Sequence, residues 1–243
     1  MSVGGFARKL LGDRFFPIAG HYYRAIFVDL EKVARAAVDE IPQGALVLDI
    51  GGGDGAPLNC LLRLRPDISV TMIDLNPWIG GAVAPELRSR VVMWPGTSVR
   101  DYIVGGGPKP DCIMISDVIH PIPVHHRDQF FKDVRELVGD GRPPVIIKDV
   151  EPGDPRSYLS LWADRYISGD KTVSLISRAE LGRAMAKAFG HVDARETALF
   201  REDRPNYSMV FRLLPNACSS SQGNRSTPSP SASAKPQPRG RTE

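Results

Sequence analysis

Apolar and polar positions change period several times along this chain, and the changes mark its elements. Between residues 5 and 40, Tyr22, Ile26, Phe27, Leu30, Val33 and Ala37 recur at helical spacing after an amphipathic start at Ala7, Leu10 and Leu11. That spacing predicts N-terminal helices. Pro42-Gln43-Gly44 breaks the pattern, and residues 45–50 follow as a short apolar run ending in glycines. A run without in–out alternation suits a strand at the centre of a parallel sheet with both faces covered.

A regular rhythm follows. It predicts a helix over 56–64, a strand over 69–73 closed by Asp74, and a strand over 90–93 after a helix that Pro85 opens or interrupts. Next come a strand over 111–116, a helix over 127–138 and a strand over 145–148. Strands alternating with helices imply right-handed crossovers and a doubly wound sheet. The rhythm then breaks at a helix over 157–167 and a turn at 168–170. Ser177 as N-cap with Glu180 three residues on, then Leu181, Met185, Phe189 and Gly190, writes a further helix from cap to stop. Residues 191–199 and 207–214 close the fold as an antiparallel hairpin. From Asn216 the Ser, Pro, Gly and basic composition is too poor in apolar groups to pack, which predicts disorder.

The expected class is therefore α/β: a Rossmann-like doubly wound sheet, mostly parallel, with an antiparallel C-terminal hairpin strand. Residues 1–42 form an N-terminal helical cap and 43–215 the ligand-binding domain. A helical substrate-side insertion spans 152–176 after the fifth strand, and 216–243 form the tail. A length of 243 residues suits this single domain. The net charge of +3 owes part of its excess to Arg225, Lys235, Arg239 and Arg241 in the tail. The folded part is close to neutral, without the dense basic stripe that nucleic acid requires. Cys60, Cys112 and Cys218 stand too far apart for a disulfide framework or metal motif, which fits a reducing cytoplasm. No apolar run reaches membrane-spanning length, and the first residues lack a signal-peptide core. A cytoplasmic protein is expected, with a homodimer allowed.

Chemistry concentrates where the first strand meets the first crossover helix, at Asp49-Ile50-Gly51-Gly52-Gly53-Asp54-Gly55. Glycines let backbone turn tightly and approach a ligand closely, and Asp74 at the end of the second strand suits the hydroxyls of a ribose. The glycine run alone fits either of two nucleotide cofactors, since Gly51-x-Gly53-x-x-Ala56 is also a permissible dinucleotide fingerprint. Three features favour S-adenosylmethionine (SAM) over NAD. Asp49 and Asp54 bring negative charge, which suits a cationic amino group and opposes a pyrophosphate. No second domain and no Tyr-x-x-x-Lys pair is present for a reductase. The C-terminal hairpin is the third.

These segments, with residues 110–123 at the fourth strand and 177–199 at the last helix and strand, resemble the class I SAM-dependent methyltransferase superfamily, small-molecule type. The resemblance covers residues 43–215. It implies that Gly51, Gly53 and Gly55 pass beneath the methionine and ribose of SAM, with Asp49 near the amino group. Asp74 would bind the ribose, Leu75 would pack on adenine, and Ser116 and Asp117 would line the methionine side. The acid usual at the end of the third strand is replaced by Gly96-Thr97-Ser98, so the adenine contact passes to Thr97, Ser98, a backbone group or Asp101. Trp78 is read as a packing residue, with adenine cover as the alternative.

Methyl transfer to oxygen benefits from a general base, and His120, just beyond the fourth strand, is the candidate. The alternative is a loop histidine bonded to backbone. Lys148-Asp149 and Glu151 face the substrate or form a surface acid cluster. No metal is expected, because His120, His125, His126, Asp117 and Asp128 lack ligand spacing. Tyr22, Tyr23, Trp162 and Tyr166, from the cap and the insertion, are the candidates to line an acceptor pocket. The expected reaction is methyl transfer to a small-molecule acceptor, oxygen preferred. An NAD-dependent oxidoreductase and a non-catalytic SAM-binding subunit are the alternatives.

Overall fold

The computed structural model describes residues 30–153, 174–197 and 206–214. The fold grows from β1 (Leu46–Ile50), whose neighbours on both sides are parallel strands, β2 (Ser69–Asp74) and β4 (Cys112–Ser116). β3 (Val91–Pro95) lies outside β2, and β5 (Val145–Val150) lies beyond β4. β7 (Asn206–Leu213) runs antiparallel between β5 and β6 (Val192–Glu196), giving the order β3-β2-β1-β4-β5-β7-β6. The hairpin read from the sequence is present, with its second strand placed inward of its first.

Both faces of the sheet are covered, as the unalternating apolar runs require. One face packs Leu48, Ile50, Ile115 and Ile147 under α3 (Val99–Val104), α4 (Val124–Val138) and α5 (Arg178–Phe189). The other packs Val47, Met72, Met114 and Ile146 under α1 (Leu30–Val38) and α2 (Ala56–Leu64). Each such fully buried aliphatic side chain contributes roughly 1.5–3 kcal/mol by leaving water. α5 begins at the predicted capping box, with the Ser177 side chain accepting from Glu180 N and the Glu180 side chain accepting from Ser177 N.

Three local expectations change. Residues 85–90 form a 3-10 helix, with Pro85 in its first turn. α3 went unread: its six residues are too few to show a period, and its start is marked only by Ser98. Trp78 is 81 % exposed, so it is not a packing residue. Tyr22, Tyr23, Trp162, Tyr166 and the tail from 216 lie outside the described residues, as does most of the insertion. Among the described residues no helix is long and apolar enough to cross a membrane.

The order reverses direction between β1 and β4, and in open α/β sheets ligands gather beyond the carboxyl ends of the strands at such a point. Asp49 is one residue from the end of β1, in register with Met72 on β2 and Met114 on β4. The candidate site is therefore placed by topology before any side chain is considered.

Candidate active site

The turn out of β1 is built for close approach. Gly51 has φ 76°, a left-handed conformation that strains any side chain, and a Cβ there would stand 2.1 Å from Val118 Cγ2. Gly53 also has positive φ, 54°, but open space lies where its Cβ would be. The turn is thus pressed on one side by the loop after β4 and clear at its crest.

Asp74 braces this turn. Its Oδ2 accepts from Gly53 N at 2.9 Å and its Oδ1 from Asn76 N at 2.8 Å. Its carbonyl accepts from Thr97 N at 2.8 Å. An ionised carboxylate has about four acceptor positions, so the half-buried group retains capacity for a pair of hydroxyls. The chain beyond it folds back on the glycine turn through Gly80 N to Gly53 O and Ala82 N to Asp54 O, at 3.0 and 2.8 Å.

Asp49 is the unusual member. It is 6 % exposed, and among the described residues its carboxylate accepts no hydrogen bond. Burial, seconded by the charge of Asp74, pushes its carboxyl up to about 7. Such a group is costly to ionise unless a cation or donor meets it. At the other end of the turn, Asp54 Oδ1 accepts from Ala56 N at 3.1 Å, so a protein carboxylate already caps the first turn of α2.

The remaining cofactor candidates divide. Leu75 is 73 % exposed beside Asp74. Thr97 Oγ1 donates to Pro95 O at 3.2 Å. Ser98 is the N-cap of α3 in a capping box with Asp101, so both side chains serve the helix. Ser116 ends β4, half-buried.

Beyond β4 the loop carries His120, which is 7 % exposed. Its Nδ1 lies 2.8 Å from Asp149 Oδ1, and its backbone N donates to Asp149 Oδ2 at 3.3 Å. A carboxylate only accepts, so Asp149 places the imidazole proton on Nδ1 and turns Nε2 away from itself. Asp149, fully buried at the end of β5, also accepts from Val150 N at 2.8 Å. Arg127 of α4 holds the loop from behind, donating to Ile122 O at 3.0 Å and to Ser174 O. The preceding residue on β5, Lys148, donates to both Asp117 oxygens at 2.7 Å. Single atoms of Asp117, His120 and Asp149 lie within 4.8 Å of one another, and the Lys148 ammonium is the cation this cluster holds.

The sequence had singled out His120 and Asp117, and the structure brings both together with Asp149 and Lys148. Reading Lys148-Asp149 as facing the substrate or as a surface cluster missed that both are buried and already engaged. These partners lie 29 and 31 residues away, and no local pattern encodes a pairing at that range. Arg127 was missed for the same reason, since an arginine in an otherwise polar helical turn reads as solvated. His125 and His126 are exposed in the first turn of α4.

No family model matches the chain. Over 76 residues it is 33% identical to ribosomal RNA small subunit methyltransferase G of Pseudarthrobacter chlorophenolicus, 30% of this chain and 31% of that protein. Among solved structures it resembles human N-acetylserotonin methyltransferase in complex with SAM, with 15% identity and a TM-score of 0.58, covering 76% of this chain and 51% of that one. It also resembles N,N-8-amino-8-demethyl-D-riboflavin dimethyltransferase from Streptomyces davawensis, with 17% identity and a TM-score of 0.59 over 87% of this chain and 62% of that one. A third is an O-methyltransferase family 2 protein from Planctomyces limnophilus in complex with apigenin, with 18% identity and a TM-score of 0.57 over 74% and 57%. The chain spans between half and two thirds of the length of these solved structures. Its fold is the Rossmann-like fold of class I SAM-dependent methyltransferases.

Proposed function

We propose that this chain transfers a methyl group from SAM to a small-molecule acceptor, an oxygen nucleophile by preference, with His120 as general base. One observation carries the reading: a buried His120–Asp149 pair sits beside an acid-flanked glycine turn, and Val118, two residues before His120, touches that turn at Gly51.

The residues present fit the donor. Among the described residues Asp49 is a buried acid that accepts no hydrogen bond, and an α-ammonium would supply a cation to it. Asp74 has acceptor capacity for ribose hydroxyls, and the crest at Gly53 is open. The same features oppose NAD, since Asp49 and the Asp54 cap put carboxylates where a pyrophosphate needs donors.

SAM supplies a methyl group already activated by the sulfonium charge. The protein's share is to position the acceptor, exclude water and remove a proton. As the oxygen–carbon bond forms, the acceptor hydroxyl releases its proton to His120 Nε2. Asp149 offsets the imidazolium charge through Nδ1 and keeps the ring from rotating. With SAM bound, the displaced group would be S-adenosylhomocysteine, which would keep the carbon–sulfur electron pair. The small-molecule acceptor is supported by the solved relatives, whose named acceptors and ligands are N-acetylserotonin, a riboflavin derivative and apigenin.

Calorimetry with SAM and NAD, followed by an acceptor screen with labelled SAM, tests the proposal. Tighter binding of SAM and acceptor-dependent accumulation of S-adenosylhomocysteine are expected. Preference for NAD overturns it. SAM binding without turnover on any hydroxyl acceptor leaves the chain as a SAM-binding subunit.

A further inference from the structure

A lysine is out of place on β5. Every residue from Val145 to Val150 is buried, and the Lys148 side chain is 3 % exposed. Burying an ammonium costs several kcal/mol unless a counter-ion meets it. Asp117 meets it with both oxygens, and the two residues are joined again where Asp117 N donates to Lys148 O at 3.0 Å. Asp117 itself has φ 58°, an uncommon conformation for a residue with a side chain. Two unfavourable features, a buried cation and a strained turn, are thus maintained together, and the Asp117 carboxylate that joins them comes within 4.8 Å of His120 and Asp149.

The charges around His120 explain the arrangement. Among the described residues, Asp149 meets it from β5, the Asp117 carboxylate comes within 4.8 Å from just beyond β4 with Lys148 bound to it, and Arg127 of α4 lies within 3.5 Å of the His120 carbonyl. Tyr207 of β7 is in register with Asp149, and Glu151 with Arg178 pair with each other further out. Without Lys148, the charge of Asp117 would be added to that of Asp149 beside the imidazole. Two nearby negative charges favour imidazolium, which cannot accept another proton.

Building on the reading of His120 as base, we propose that Lys148 is a positioning residue: its ammonium holds and neutralises Asp117, so that the Asp117 charge does not add to that of Asp149 on the His120 imidazole. A merely structural Lys148 would steady the Asp117 turn and leave the titration of His120 alone.

The titration is directly measurable, and it needs no acceptor. The full chain carrying isotope-labelled histidine is followed by NMR from about pH 5 to about pH 9, the window in which imidazoles titrate. The exposed His125, His126 and His191 serve as internal references. His120→Gln assigns the signal. Lys148→Met should raise the His120 midpoint by about one pH unit, a tenfold gain in proton affinity. Asp117→Asn should lower it by a similar amount, and the double variant should return close to the parent. Asparagine tolerates the left-handed conformation, so Asp117→Asn provides the test even if Lys148→Met does not fold. An unmoved midpoint in folded Asp117→Asn, or shifts of the same sign in both single variants, overturns the proposal. Failure of the base assignment is a separate outcome: full methyl transfer by His120→Gln removes the base and leaves the titration result standing.

Discussion

Asp49 and Asp74 stand on either side of the glycine turn, and burial of Asp49, followed by the charge of Asp74, pushes the Asp49 carboxyl up to about 7. Asp74 is half-buried and bonded to the turn, whereas Asp49 is buried and, among the described residues, accepts no hydrogen bond. Their difference in environment gives each a separate task.

The first prediction concerns Asp49→Asn. A folded value raised above the ordinary 3.8 means that the acid's favourable contribution is complete below about 4 and is lost as pH rises through about 7. The ligand-free variant should therefore be more stable than the parent at pH 8, by about 2–4 kcal/mol at 1.36 kcal/mol per pKa unit. At pH 4 the two should match. Urea denaturation at both pH values checks this. SAM affinity of the parent should fall below pH 7, by up to about tenfold per unit, and the variant should lose that dependence along with most binding.

Asp74→Ala removes the brace as well as the ribose acceptor. Gly53 N and Asn76 N lose their partner together. SAM binding should weaken by about 1–3 kcal/mol, read by calorimetry. Asp74→Asn should recover little, because one oxygen becomes a donor facing an N–H.

Gly51 and Gly53 share positive φ but differ in surroundings. Alanine at Gly51 should cost about 2–4 kcal/mol, combining left-handed strain with overlap against Val118. Alanine at Gly53 should cost only the strain, about 1–2 kcal/mol, while reducing SAM affinity by filling the crest. Equal losses of thermal stability at both positions would contradict the packing described for the β4–α4 loop.

His120→Asn and Asp149→Asn should lower turnover by about 10²–10⁴-fold and leave SAM affinity nearly unchanged. The measurement is S-adenosylhomocysteine formation under single-turnover conditions, set beside calorimetry. Loss of SAM binding in either variant would show that the pair belongs to the donor site instead.

Much of this architecture was legible in residues that speak locally. The apolar run at 45–50 declared a central strand and that at 145–148 another strand, Ser177 and Glu180 declared a helix start, and the glycines between two acids marked the ligand end of β1. What remained hidden was pairing across distance. Nothing near His120 in the chain says that Asp149 will lie against it, and nothing near Asp117 announces Lys148. α3 was hidden for a different reason. At six residues it owes its stability to Tyr102 and Val99 packing beneath it, and tertiary burial leaves no periodic trace over so short a span.

The inward position of β7 has a consequence for synthesis. A nascent chain emerges with β5 still an unpaired edge, and Asp149 has no β7 neighbour until Tyr207 has been made. β6 appears earlier, but among the described strands its ladder runs along β7 alone. The sheet therefore cannot close progressively behind the ribosome; it waits for the last of the described strands, and a message truncated before Asn206 yields an open-edged intermediate prone to association rather than a smaller working domain.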